Sequence, residues 1–230
     1  MDSATQVSSR HSLPAYVLPM AAFLLLLAAT GVAKKMGDSF WLASAEYWIY
    51  PLQTLLCGAL LLWYRRDYAA LAPRRAWFAI VVALIVFALW ISPQAFFGVP
   101  ARTVGFNPET FSASPAAYWV TVVFRFLRLV IVVPLIEEIF WRGFLLRYFL
   151  DEKFWRVPVG AFSWLSFTAV TIGFTFVHAP ADWIAASITS ALYNFVAYRT
   201  KSLGSCVIAH ALTNLLLGFW IMRTKEWGFW

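Results

Sequence analysis

The sequence predicts an all-α fold: a polytopic transmembrane helical bundle of about seven to eight spans, with an intramembrane cavity formed by its C-terminal helices. Three observations carry that prediction. First, 62% of the 230 residues are hydrophobic and only 13% are charged, with a mean hydropathy of +0.71, which leaves too little polar surface to cover a water-soluble globule of this size. Second, apolar segments recur at 13–33, 47–64, 76–98, 117–149, 158–178, 181–198 and 203–222, each near the about 20 residues that cross a bilayer. The fourth is long enough to be tilted, broken or two pieces, which leaves an eighth span open. Third, Glu137, Glu138 and Arg142 lie inside that fourth segment. An unpaired charge at mid-bilayer costs about 2.5–3.5 kcal/mol on insertion scales, so such residues pair or line a wet cavity and are read first as a functional site.

The first segment, 13–33, is read as a retained anchor. Its apolar run exceeds the about 7–15 residues of a signal-peptide core, and Ala-Thr-Gly-Val-Ala at 29–33 is a poor cleavage site. With the next two segments it forms a scaffold over residues 1–100, free of acidic residues in its apolar cores. Trp41, Tyr47, Trp48, Tyr50, Trp63, Tyr64, Trp77 and Trp90 cluster near segment ends, where aromatic belts sit. Pro93, Gly98, Pro100, Gly105, Pro108 and Pro115 predict the longest loop, extramembrane or re-entrant, serving as a connector or a lid. Residues 117–222 hold the chemically interesting core. No long Gly/Ser linker, charge block or fixed-period repeat divides the chain, so 1–230 is one integral membrane domain. Cys57 and Cys206 stand far apart in apolar context and are read as packing residues. Trp227-Gly-Phe-Trp230 is read as an interfacial anchor, and Arg147, Asp151, Glu152, Lys153 and Arg156 as a solvated boundary.

Eighteen Lys and Arg against eleven Asp and Glu give a net charge of +7. The basic residues sit in short loops between apolar spans, so membrane topology explains them and no nucleic-acid partner is implied. With the N-terminus inside, the inner loops hold ten: Arg10, Arg65, Arg66, Arg74, Arg75, Arg147, Lys153, Arg156, Arg199 and Lys201. The outer loops hold five: Lys34, Lys35, Arg102, Arg223 and Lys225. The bias predicts a multi-pass protein of the cell membrane with a cytoplasmic N-terminus, although Lys34 and Lys35 oppose it.

Successive residues of an α-helix are about 100° apart, so Glu138 and Arg142 share a face and neutralise one another, leaving Glu137 on a different face. Upstream, Arg125 and Arg128 add positive potential or snorkel to an interface. Pro134 is expected to kink or restart the helix. His11 lies in the polar N-terminal tail, whereas His178 and His210 fall in or at the end of apolar spans. Phe174 stands one turn before His178, and Asn214 one turn after His210. A lone such histidine is more often a satisfied core residue. A free carboxylate, two imidazoles and an amide together supply a general base, its partner and hydrogen-bond donors, the parts needed to hydrolyse an acyl bond. In that chemistry Glu137, helped by His178, takes a proton from an attacking water while His210 and Asn214 stabilise the oxyanion. Gly-x-Ser-x-Gly is absent, and Ser205-Cys206 has no local acid or base in sequence. Asp182 could orient His178 only if the helix continued through Pro180. The predicted boundaries set His178 at an outer end and His210 about 10 Å from an inner one. For the two to meet, a turn must dip into a cavity or the boundaries must differ.

Glu137-Glu138-x-x-x-Arg142, Phe174-x-x-x-His178 and His210-x-x-x-Asn214, in this order and each on its own apolar span, resemble the three signature motifs of the CPBP family. These are the CAAX proteases and bacteriocin-processing enzymes, including the Ras-converting CAAX endopeptidase. The resemblance covers residues 117–222, and three motifs in register with predicted spans make it specific. It implies a glutamate-dependent intramembrane endopeptidase with no metal and no cofactor, acting on a membrane-embedded or lipidated, CAAX-type peptide. By the same resemblance Glu137 and His178 activate water, His210 and Asn214 form the oxyanion site, and Glu138, Arg142 and Phe174 support them. The aromatic-rich N-terminal half is similar to the bacterial CAAX-protease-related branch associated with exosortase sorting systems. Two rival readings stay open. One is a zinc protease with Glu137, His178 and His210 as ligands, each from a different span. The other is a non-catalytic transport, scaffold or immunity protein, in which the same ionisable groups serve a relay or a partner.

Overall fold

The computed structural model describes residues 13–230 except Ala70; Arg10 and His11 lie outside the described residues. Among the described residues seven main helices follow one another: α1 (Leu13–Ala33), α2 (Glu46–Trp63), α3 (Ala76–Phe96), α4 (Pro115–Tyr148), α5 (Trp164–Phe176), α6 (Trp183–Thr200) and α7 (Leu203–Thr224). Among the described residues there is no strand. Helices α1, α3, α4 and α7 are long and apolar enough to cross a membrane. The outward faces carry Leu25, Trp63, Trp77 and Ile184 in the open, a surface that suits lipid and not water. The chain is a membrane protein.

The helices alternate in direction, so connectors gather at two ends. At one end, Tyr16 Oη donates to the Asp67 carbonyl and accepts from Ala69 N, while Ser202 and Ser205 hydroxyls donate to the carbonyls of Ala72 and Arg74. At the other, Lys34 pairs with Glu46, Tyr47 Oη donates to the Asn107 carbonyl, and Gly228 N donates to the Arg102 carbonyl. The Pro- and Gly-rich loop before α4 is therefore an ordered strap. The segment 227–230 is no free interfacial anchor: Trp227 is buried, and the segment folds back onto that strap and the helix bundle.

Local chemistry sets the boundaries that matter. Pro158, the left-handed Gly160 (φ 74°) and the Ser163 cap, whose Oγ accepts from Ser166 N, delay α5 until Trp164. The sequence placed that segment at 158–178. At 13 residues α5 is only about 20 Å long, so its far end, and His178 just beyond it, stop inside the bundle. A left-handed Lys201 (φ 53°) and the Ser202 cap turn α6 directly into α7.

Helix α4 runs 34 residues without a break. Two π-helical stretches, Leu127–Val132 and Ile139–Leu145, flank Val133–Glu138. Pro134 has no N–H to give the carbonyls one turn back, and its ring would strike that of Val130 in a regular α-helix. A wider turn before it accommodates both effects, and π turns of this kind concentrate at functional sites. The proline thus widens the helix instead of stopping it.

At the start of α7, a Cβ on Gly204 would fall 1.9 Å from the Leu71 carbonyl oxygen. Gly204→Val is expected to destabilise the protein by about 1–3 kcal/mol, read as a lower thermal unfolding midpoint in detergent. Gly31→Ala, where nothing lies within 4 Å, should leave the midpoint almost unchanged.

Candidate active site

Arg142 is completely buried. Its Nη1 donates to Glu138 Oε1 (3.1 Å), its Nε to Asn194 Oδ1 (3.0 Å), and its Nη2 to both the carbonyl and the hydroxyl of Ser190 (3.1 and 3.2 Å). Asn194 Nδ2 donates onward to Thr171 Oγ1 at 3.3 Å. One guanidinium therefore ties α4 to α6, and through Asn194 to α5. Its Cζ lies 5.1 Å from the Phe174 ring and 5.5 Å from the Tyr193 ring.

Glu138 Oε1 also accepts from His210 Nδ1 at 2.9 Å, which adds α7 to the assembly. A carboxylate accepts, so this bond assigns the proton to Nδ1 of His210 and leaves Nε2 as its free nitrogen. His178 is built the same way. Its Nδ1 lies 2.7 Å from the Phe174 carbonyl, which can only accept, so Nε2 is again the free nitrogen. Each imidazole also packs against an aromatic ring, His178 on Phe174 at 4.7 Å and His210 on Tyr193 at 5.3 Å. Those are the two rings against which Arg142 rests.

Asn214 Nδ2 donates to the Leu129 carbonyl at 2.7 Å. That carbonyl faces the π turn before Pro134, where the missing proline N–H leaves an acceptor without a helical donor. One N–H and the Oδ1 of Asn214 stay uncommitted. Glu137, 8% exposed, has no hydrogen-bond partner at Oε2 among the described residues.

Glu137, His178, His210 and Asn214 all line one cavity of about 340 Å³. Measured along the helices from the end where α4 stops and α5 and α7 start, His210 is about 10 Å deep, the glutamates about 15–17 Å and His178 about 21 Å. The predicted mismatch in depth between the two histidines narrows to about 11 Å because α5 starts late, and the glutamates lie between them. Met20, Phe23, Leu24 and Leu27 of α1 and Trp90 of α3 complete the apolar wall, together with Phe174, Val177, Leu217, Phe229 and Trp230. Trp90 is a wall residue instead of a belt residue: its Nε1 donates to Thr189 Oγ1 at 2.9 Å and its ring lies 6.1 Å from that of His178.

Asp182 also lines this cavity but pairs with Arg102 at 2.6 Å, and it is Trp183 that reaches His178, donating from Nε1 to its backbone carbonyl. Arg125 and Arg128 do not snorkel; they are 4% and 5% exposed and face α2 and the strap. Among the described residues no three His, Cys, Asp or Glu side chains group closely enough to hold a metal ion. Ser190, Asn194, Thr171 and Tyr193 were missed in the sequence. Their signal was a polar i, i+4 pair, Ser190 and Asn194, facing inward from an apolar span.

The polytopic bundle encloses a carboxylate, two oriented imidazoles and an amide around one cavity. Residues 118–216 match the family model described as type II CAAX prenyl endopeptidase Rce1-like, a stretch that takes in all the motif residues. The match bears out the resemblance carried by the three motifs, and residues 118–216 are similar to that family. No curated protein and no solved structure matches the chain.

Because Arg142 satisfies buried acceptors on two helices, Arg142→Ala is expected to cost about 3–5 kcal/mol. Arg142→Lys, which keeps the charge but loses the planar fork, should fall between it and the wild type. Thermal unfolding in detergent checks the order.

Proposed function

We propose that the protein is an endopeptidase that cuts a membrane-associated, CAAX-type lipidated substrate with water activated by Glu137. The observation that supports this most is the unequal commitment of the two glutamates. Glu138 accepts from Arg142 and His210 at Oε1, whereas Glu137, on the cavity that His178, His210 and Asn214 share, has no hydrogen-bond or ion-pair partner at either oxygen among the described residues. A fixed neighbour and a free base are what general-base hydrolysis needs.

In this reading, a water between Glu137 and His178 Nε2 attacks the scissile carbonyl carbon and gives its proton to Glu137. The carbonyl oxygen becomes an oxyanion, held by His210 Nε2–H in the doubly protonated ring and by the uncommitted N–H of Asn214. The Glu138 carboxylate offsets the charge of that ring. Collapse of the tetrahedral intermediate breaks the C–N bond, and the proton on Glu137 passes to the leaving amine. No step calls on a metal. The apolar wall, reaching from α1 to Leu217, suits the lipid-like part of a substrate arriving from the membrane.

The test compares new protein termini in cells expressing wild type or Glu137→Gln at equal abundance. Cleavage is expected to fall by about 10²–10⁴-fold, the scale of losing a general base, while thermal stability changes little. Termini unchanged by Glu137→Gln would sink the reading and favour a scaffold role. With purified protein, activity that survives EDTA is expected; loss of activity restored by Zn²⁺ would favour the zinc alternative.

A further inference from the structure

Arg125 and Arg128 are buried cations that the proposed mechanism does not use. They stand one turn apart on α4, both more than nine-tenths buried, and among the described residues neither has a carboxylate within ion-pair distance. Arg125 Nε and Nη1 are enclosed and have no hydrogen-bond partner among the described residues. Arg128 makes a single side-chain bond, from Nε to the neutral Gln53 Oε1 at 2.7 Å. The nearby Glu46 is engaged by Lys34 through Oε1 at 2.9 Å and makes no ion pair with either arginine, although its Oε2 is enclosed without a partner among the described residues. What surrounds the pair is aromatic: Phe106, Tyr50 and Trp230 lie 4.6, 5.3 and 5.7 Å from Arg125 Cζ, and Tyr50 and Phe23 lie 4.2 and 5.1 Å from Arg128 Cζ. Ring faces soften the desolvation of a guanidinium, but they supply no acceptor for its N–H groups and do nothing for the repulsion between two like charges.

We infer that Arg125 and Arg128 form an oxyanion site beside the catalytic cavity that binds the free C-terminal carboxylate of the substrate peptide. The inference rests on the protease reading. Two of the rings that shield the pair, Phe23 and Trp230, are also walls of the cavity that holds Glu137, so the site and the cavity share a partition. Unpaired guanidinium forks fit a planar carboxylate in bidentate fashion. The spacing agrees: Arg128 precedes Glu137 by nine residues of one helix, about 13 Å, which an extended peptide spans in about four residues. The arginines would thereby place the cut a few residues from a free C-terminus and reject internal peptide bonds.

The test uses detergent-solubilised full chain carrying Glu137→Gln, so that binding is read without cleavage. The probes are two fluorescent S-farnesylated decapeptides of one sequence, with the modified cysteine four residues from the end. One ends in a free carboxylate and the other in a carboxamide. The free acid is expected to bind about 10- to 100-fold more tightly. Adding Arg125→Gln or Arg128→Gln should reduce that preference to near unity while the amide's Kd stays put, and Arg128→Lys should restore part of it. If either glutamine variant does not fold, the corresponding Lys variant is expected to show the same selective loss in smaller measure. Equal binding of acid and amide, binding of neither, or an equal loss of both in the arginine variants would overturn the inference. So would a preference that tracks added phosphatidylglycerol instead of the peptide terminus, which would make the pair a lipid site. The protease reading fails separately, if the chain with Glu137 intact binds the acid form and never cuts it.

Discussion

Everything at the centre of this protein depends on one buried cation. Arg142 has no access to solvent and would be prohibitive inside a membrane were its charge and N–H groups left open. They are not: Glu138, Asn194 and both oxygens of Ser190 receive them. Because these partners come from its own helix and from α6, the cation fixes the spacing of the two. Because Glu138 also accepts a hydrogen bond from His210 Nδ1, it fixes α7 as well. Satisfying the guanidinium and assembling the site are the same event.

That arrangement explains the division between adjacent glutamates. Their side chains project from neighbouring positions of one helix, so whichever faces Arg142 is spent on structure and the other is left to the cavity. The two histidines show a matching economy. Each uses Nδ1 and one ring face for support and presents Nε2, and the rings beneath them, Phe174 and Tyr193, both rest on Arg142. Imidazoles held at one nitrogen and one face have little rotational freedom left, which is the condition for placing a reacting water between fixed groups.

Helix α4 carries this load with help from its irregularities. Pro134 removes a donor, the turn before it widens, and Asn214 from α7 supplies the donor that the Leu129 carbonyl lacks. A residue that would break a soluble helix is here the reason two helices are pinned together. The first three helices, a scaffold by their sequence, add the cavity's apolar walls through α1 and Trp90. The strap and residues 227–230 close its end through Arg102, Asp182 and Phe229.

The helical, membrane-embedded class was legible because it rests on composition and segment length, properties that need no knowledge of neighbours. The Glu138–Arg142 pair was legible for the same reason: a spacing of four on a helix is local geometry. The start of α5 was not, because Pro158 and Gly160 lie inside an apolar run that hydropathy reads as span, and only the turn chemistry ends it. Tertiary structure alone decided that Glu138 also holds His210, that Ser190 and Asn194 receive Arg142, and that Asn214 answers Pro134. It also decided that Arg125 and Arg128 turn inward to an aromatic cage instead of outward to an interface. Each of these joins residues of different helices, and which faces meet is set by packing and by the need to satisfy buried polar groups, a constraint that no stretch of sequence contains by itself.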